Sequence, residues 1–91
     1  MRAWHATRAP ERVLADGWVR PMRMVDVYAF TTRAAAEAYR KEFGYAAVVE
    51  VDVPSNQIVN RWQPAYANGD WALRIAGPVP VVMPPTTLKP S

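Results

Sequence analysis

The clearest pattern in the chain is the alternation of residue types from Val25 to Phe30. This segment reads Val-Asp-Val-Tyr-Ala-Phe, so small apolar residues stand at the odd positions and larger or charged residues at the even positions. A period of two is typical of a β-strand, whose side chains point alternately to its two faces. We therefore predict a strand in which Asp26 and Tyr28 lie on the same face.

A helix is predicted from Arg33 to Phe43. The segment is rich in Ala, Glu, Arg and Lys, which are good helix formers, and Gly44 follows it as a stop signal. Thr31 and Thr32 stand just before it and are suitable N-caps. Its buried side is expected to carry the residues at helical spacing, namely Ala35, Tyr39 and Phe43.

A shorter helix is predicted to begin at Pro10 and to end at Asp16. Proline suits the first helical position, and Gly17 stands where a left-handed C-terminal cap is needed. A helix of about two turns is marginal in isolation, so packing must hold it in place.

Five other segments predict strands, because they are rich in valine, isoleucine or aromatic residues and bounded by Pro, Gly or Asn. They cover residues 2–6, 45–53, 57–62, 71–75 and 79–83. Residues 18–24 are expected to be a loop or an edge segment because they contain Pro21. The core is expected to include Trp18, Trp62 and Trp71. The order of elements predicts an α+β fold with a small, curved, mostly antiparallel, split sheet and two short helices.

Length and composition indicate one domain. The chain has 91 residues, of which 51% are hydrophobic, so we expect a single folded domain over residues 1–84 and an extended tail over 85–91. There is no cysteine and one histidine, which argues against disulfides and against any metal site. No secretory signal or membrane span is recognisable, so a cytoplasmic location without a membrane partner is predicted.

The net charge of +3 is compatible with nucleotide phosphates, nucleic acid or an acidic protein surface as partners. A nucleic-acid face is not favoured, because no basic cluster is interleaved with aromatic residues. Glycine-rich phosphate loops and nucleophile elbows are also missing from the sequence. Three short segments remain as candidates for a functional site: Trp4-His5-Ala6-Thr7, Val27-Tyr28-Ala29-Phe30 and Asn68-Gly69-Asp70-Trp71.

The order of these segments resembles the ADP-ribosyltransferase-like superfamily, particularly its small members similar to RNA 2′-phosphotransferases. Members open with a His-Gly-Thr strand, which His5-Ala6-Thr7 matches with alanine in place of glycine. The strand at Val27 leads into an alanine-rich helix, a Val-rich strand ends in Asp52-Val53, and Asn68-Gly69-Asp70-Trp71 precedes a Val-Pro turn. The resemblance covers residues 3–82.

The resemblance implies that the domain binds NAD or a related nucleotide, with transfer of ADP-ribose to a macromolecular target as the associated activity. By this resemblance, His5 and Thr7 position the ribose, Tyr28 stacks on nicotinamide, and Arg8 holds the diphosphate. Asp70 stands where the family usually has glutamate, and with His5 it is the candidate catalytic residue, stabilising positive charge that develops on the ribose.

Each of these residues also has a purely structural interpretation. His5 fits a partly buried strand-end histidine, Thr7 and Asp70 fit turn residues, and Tyr28 fits a core or interface position. The alternative function is a non-catalytic interaction protein, such as a small inhibitor from a mobile genetic element that binds a host defence complex.

Overall fold

A computed structural model describes residues 1–22 and 25–82 of the chain. These residues form seven strands and two α-helices, in the order β1 (Arg2–Thr7), α1 (Pro10–Asp16), β2 (Trp18–Val19), β3 (Val27–Phe30), α2 (Arg33–Phe43), β4 (Ala47–Asp52), β5 (Ile58–Trp62), β6 (Ala72–Ile75) and β7 (Val79–Pro80). Single turns of 3-10 helix at Ser55–Gln57 and Ala65–Ala67 flank β5. The tail predicted over 85–91, and the last residue of the strand predicted over 79–83, lie outside the described residues.

The strands form two sheets, and each strand pair in these ranges is antiparallel. The larger sheet has the order β4-β1-β3-β6-β5, and β2 pairs with β7 in a small second sheet. A bridge between Val51 and Val81 joins the small sheet to β4. The predicted α+β class, with two helices and a mostly antiparallel, split sheet, is confirmed.

The larger sheet is divided between β1 and β3. β1 pairs with β4 along its whole length, and β3 pairs with β6 along its whole length. β1 and β3 pair with each other only at Trp4 and Phe30. The C-terminal half of β1 and the N-terminal half of β3 therefore part, and this division opens the sheet next to α1.

Each face of the larger sheet is covered by its own hydrophobic core. On the face that packs against Val13 and Leu14 of α1, called here the α1 face, the buried residues are Ala3, Val19, Val27, Ala29, Val49, Val51, Val53, Leu73, Ile75, Val79 and Val81. On the opposite face, called here the α2 face, they are Phe30, Ala35, Ala36, Ala67 and Ala72. Full burial of one Val, Leu, Ile or Phe side chain contributes about 1.5–3 kcal/mol, so the two cores together hold both helices on the sheet.

The helix boundaries agree with the sequence signals. Gly17 and Gly44 both adopt left-handed conformations, with φ of 80° and 73°, and their N–H groups donate to Val13 and Arg40 carbonyls. The hydroxyl oxygen of Thr32 accepts the N–H of Ala35 at 3.2 Å and so caps α2. Both helices therefore begin and end at the predicted residues.

Two strands begin two residues later than predicted, because the N–H of the first residue predicted for each strand is hydrogen-bonded to a residue just before it in the chain. The N–H of Val25 donates to the Met22 carbonyl at 2.9 Å before β3 begins. The N–H of Tyr45 donates to the Arg40 carbonyl at 3.0 Å, which completes the end of α2 before β4 starts.

The expectation that Trp18 and Trp71 lie in the core is wrong, since each is 41% exposed. In both cases the next residue, Val19 or Ala72, is buried, and strand alternation then turns the tryptophan outward. Phe43 is also 50% exposed, because it is the last residue of α2. No helix within the two described ranges has the length and apolar character that crossing a bilayer requires.

Replacing Thr32 with alanine should lower the free energy of unfolding by about 1–2 kcal/mol, because α2 loses its N-cap. Thr32→Ser keeps the capping oxygen and should retain most of the stability. Urea denaturation of the three proteins measures the difference. Equal losses for Thr32→Ala and Thr32→Ser would contradict the role assigned to the hydroxyl.

Candidate functional site

A cleft of about 820 Å³ opens where β1 and β3 part. Its walls come from the end of β1, the turn into α1, one side of α1, β2, described residues between β2 and β3, and the start of β3, with Tyr39 of α2 and Tyr45 at one end. Four residues that the sequence proposed for nucleotide binding line it: His5, Thr7, Arg8 and Tyr28. His5, Thr7 and Arg8 come from β1 and the turn after it, and Tyr28 comes from β3. They line the same cleft because it lies where these two strands part.

His5 connects the two strands at the point where their backbone pairing stops. Continuing the ladder beyond Trp4 and Phe30 would pair Ala6 with Tyr28. The Tyr28 carbonyl instead lies 2.6 Å from Nδ1 of His5. A side-chain hydrogen bond from His5 therefore takes the place of backbone pairing between Ala6 and Tyr28 and holds the strands together at the edge of the cleft.

The protonation state of His5 follows from this contact. A carbonyl oxygen only accepts hydrogen bonds, so Nδ1 carries the proton and donates it, and in the neutral ring Nε2 is then an acceptor. Burial lowers the pKa of His5 below its ordinary value of 6.5, and the bond to the Tyr28 carbonyl only partly opposes this. His5 is therefore a neutral imidazole at pH 7.

Nε2 of His5 remains available to a ligand. It makes no hydrogen bond to any described residue, and within the described ranges no buried side-chain nitrogen or oxygen lacks a partner. The atom is therefore reached by solvent rather than sealed in the core. Because His5 lines the cleft, Nε2 can accept a hydrogen bond from a hydroxyl group bound there.

The side chains of His5 and Tyr28 leave the sheet on opposite faces. His5 pairs with Val49, whose side chain lies in the core of the α1 face. The Tyr28 ring meets Trp62 edge to face at 5.8 Å, and Trp62 packs on the α2 face. Tyr28 thus contributes to the cleft at the split in the sheet and does not form one surface with the imidazole.

Thr7 shapes the turn that leads from β1 into α1, and Arg8 adds a positive charge there. The hydroxyl oxygen of Thr7, a buried residue, accepts the N–H of Ala9 at 3.2 Å and shapes the turn. The Arg8 guanidinium lies over the Tyr45 ring, 4.5 Å from its centre. Arg8 has no carboxylate partner among the described residues, so its N–H donors are free for an anion.

Tyr39 and Tyr45 close the same end of the cleft. Burial, together with the proximity of Tyr45, raises the pKa of Tyr39 well above its ordinary value. Its phenol is therefore protonated at neutral pH and adds no negative charge beside Arg8. This end of the cleft is suited to an anionic group.

The carboxylates that line the cleft are paired with arginines. Asp16 accepts two hydrogen bonds from Arg20, at 2.8 and 3.3 Å, and this bond lowers the pKa of Asp16. Asp26 lies 3.2 Å from Nε of Arg74. Neither carboxylate is an unpaired negative charge that would repel an anionic ligand.

Asp70 is not at this cleft. Its carboxylate accepts a hydrogen bond from the Thr32 hydroxyl at 2.8 Å, and its N–H donates to the Ala67 carbonyl. These contacts hold Asp70 at the start of α2, which follows the C-terminal end of β3, whereas the cleft borders the N-terminal end. The structure does not bring together the five residues singled out from the sequence, because the Asn68-Gly69 turn directs Asp70 to the helix cap.

Comparison with protein-family models, curated proteins and solved structures finds no match. The functional assignment therefore depends on the residues of the cleft and their geometry.

Several cleft residues were not singled out from the sequence. Arg12, Asp16 and Arg20 line it together with Arg8. Arg12 and Asp16 are four residues apart within α1, and this spacing is the signal that was available for one side of the helix. The side of β3 shared by Asp26 and Tyr28 was predicted from alternation. Trp18 was assigned to the core, so its place in the cleft was missed.

The free energy of unfolding should decrease as the pH falls below 6.5, because His5 is protonated more readily in the unfolded chain. The folded chain binds the His5 proton at lower pH than the unfolded chain does, because burial lowers the pKa of His5 from 6.5. The free energy of unfolding is then fully retained above pH 6.5 and declines as the pH falls toward the folded-state pKa. Urea denaturation at roughly pH 7.5 and roughly pH 5.5 measures the change.

His5→Asn is the control, since its side-chain amide nitrogen can replace Nδ1 as the donor to Tyr28 but does not titrate. The chain has one histidine, so this variant removes the histidine contribution completely. His5→Ala leaves the Tyr28 carbonyl unpaired and should cost about 1–3 kcal/mol at neutral pH. An equal pH-dependent decline in the wild type and His5→Asn would contradict the burial of a neutral imidazole.

Proposed function

We propose that this chain is a cytoplasmic nucleotide-binding domain, similar to ADP-ribosyltransferases, whose cleft takes NAD or a related nucleotide. The observation that supports this most strongly is the position of His5, Thr7 and Arg8. They bring a neutral hydrogen-bond acceptor, a structured turn and a cation without a carboxylate partner among the described residues to one cleft of about 820 Å³. That volume falls in the range of about 300–1,000 Å³ that is usual for small-molecule sites. The absence of cysteine fits a reducing compartment.

In this proposal Nε2 of His5 accepts a hydrogen bond from a ribose hydroxyl. The neutral form of the ring is the one required, because a protonated imidazole has no acceptor atom. Tyr28 acts through its carbonyl, which fixes the tautomer and the direction of the ring. Its phenol packs against Trp62 on the other face, so a stacking role for Tyr28 is not part of the proposal.

Arg8 holds the phosphate groups. Its guanidinium is kept in place by the Tyr45 ring rather than by a carboxylate, so ordering it costs little when an anion binds. Arg12, four residues further along and within α1, lines the same cleft and likewise lacks a carboxylate partner among the described residues. Two such arginines suit a diphosphate better than a single charge.

The proposal is for binding, without transfer of ADP-ribose to an acceptor. Stabilising positive charge on the ribose calls for a carboxylate directed at the sugar. Asp70 is engaged at the cap of α2, and the cleft carboxylates Asp16 and Asp26 are engaged with arginines. The geometry therefore supports recognition of the nucleotide more strongly than chemistry on it.

NAD should bind the folded chain and stabilise it against heat. At a concentration of about one hundred times Kd, the expected stabilisation is about 2.7 kcal/mol. Arg8→Gln should weaken binding about tenfold or more, because it removes charge-assisted hydrogen bonds to phosphate. Isothermal titration calorimetry measures both affinities.

Arg61→Gln is the matched control, since Arg61 is an exposed arginine on β5, away from the cleft. His5→Asn should keep the fold yet bind NAD less tightly, because it retains the donor to Tyr28 and loses Nε2. No stabilisation by NAD, ADP-ribose or AMP would refute the proposal and favour the alternative of a non-catalytic interaction protein.

Asp70→Asn should leave NAD affinity within about twofold of the wild type. Asparagine keeps an oxygen that accepts from Thr32, so the cap of α2 should also survive. Isothermal titration calorimetry of the Asp70→Asn variant with NAD measures this affinity. A loss as large as that of Arg8→Gln would show that Asp70 reaches the ligand and would contradict the separation between Asp70 and the cleft.

A further inference from the structure

Three of the large apolar side chains exposed on this protein line the same cleft. Trp18 is 41% exposed, Met22 is 75% exposed and Val25 is 55% exposed. Isolated exposed apolar residues are common and need no explanation. Three in one cleft, together with Arg8 and Arg12, which have no carboxylate partner among the described residues, indicate a ligand with an apolar part and an anionic part.

We infer that Trp18, Met22 and Val25 form the platform for the base of the bound nucleotide, with its phosphates directed toward Arg8 and Arg12. This inference rests on the proposed function, and it fixes the orientation of the ligand. It also supplies an aromatic surface for stacking that Tyr28, packed on the α2 face, does not provide.

Trp18 is held in position by the elements around it. Its backbone pairs with Pro80 of β7, and the neighbouring Val19 is anchored in the core. The Arg20 guanidinium lies 6.0 Å from the centre of the indole ring and is itself fixed by two hydrogen bonds to Asp16. A ring that is already oriented loses little conformational entropy when a base stacks on it.

Met22 and Val25 project together. They form an antiparallel bridge, and residues directly opposite in such a bridge have their side chains on the same side. Methionine is flexible and polarizable, which suits contact with the edge or face of a base. The two side chains complete an apolar rim beside Trp18.

The charges of the cleft decide the direction of the ligand. Near Trp18, the cation of Arg20 is balanced by Asp16 within the part of the chain that the structure describes. Near the start of α1, Arg8 and Arg12 have no balancing carboxylate among the described residues. On α1 the two ends are marked by Arg12 and Asp16, which lie four residues apart, or about 6 Å at a rise of about 1.5 Å per residue. The base and the phosphates of one nucleotide fit such a separation, with the ribose between them.

The test compares AMP with ribose 5-phosphate, which keeps the sugar and phosphate and lacks the base. In calorimetric titrations of the full chain, the wild type should bind AMP about tenfold or more tightly than ribose 5-phosphate. Trp18→Ala should bring AMP down to the affinity of ribose 5-phosphate and leave ribose 5-phosphate unchanged. Trp18→Phe should retain most of the preference for AMP.

Trp71→Ala is the matched control, because Trp71 has the same 41% exposure and is not one of the cleft residues. It should leave both affinities unchanged, and circular dichroism should show the same fold for all variants. If AMP binds and Trp18→Ala weakens it no more than Trp71→Ala does, the platform is refuted while nucleotide binding stands. If AMP, NAD and ribose 5-phosphate all fail to bind, the proposed function is refuted and the platform with it.

Discussion

The hydrogen bond between Nδ1 of His5 and the Tyr28 carbonyl, at 2.6 Å, is the contact on which the site depends. It lies at the boundary between the paired and the parted halves of β1 and β3. A continuous ladder would close the sheet there, and an absent contact would leave a partly buried carbonyl without this partner, at a cost of about 1–3 kcal/mol. The imidazole satisfies that carbonyl while leaving the strands apart, so one side chain both stabilises the fold and opens the cleft.

The rest of the architecture supports this divided sheet. Cores on both faces of the larger sheet hold β1 beside β4 and β3 beside β6, so both strands are kept in place although they pair with each other only at Trp4 and Phe30. The chain leaves β1 through the turn built by Thr7 and passes directly into α1, which forms one wall of the cleft. Because the same short segment ends a strand, starts a helix and carries His5 and Arg8, the candidate site is concentrated in a few consecutive residues.

Much of the fold could be predicted from local signals. Thr32, Gly44, Pro10 and Gly17 set the ends of both helices, because caps depend on the backbone conformation of single residues. Alternation placed Asp26 and Tyr28 on one side of β3. The exposed positions of Trp18 and Trp71 could not be predicted in this way, since they depend on which neighbour of each tryptophan fills the core.

The candidate site was predictable only in part, for a similar reason. His5, Thr7 and Arg8 are consecutive or nearly so, and a local motif identifies them together. A resemblance in motif order grouped Asp70 with these residues. Its position in the structure depends instead on a hydrogen bond from Thr32, which is 38 residues earlier in the chain. The opposite directions of His5 and Tyr28 depend on strand register, which no single segment of the sequence determines.

The most direct test of this account is nitrogen NMR of the His5 imidazole at neutral pH, with and without NAD. The chain has one histidine, so its ring signals need no assignment against others. The account predicts a neutral ring with the proton on Nδ1, and a change at Nε2 when NAD is added, as expected for an acceptor that gains a hydrogen bond. A ring that is protonated on Nε2, or an Nε2 signal unaffected by saturating NAD, would contradict it.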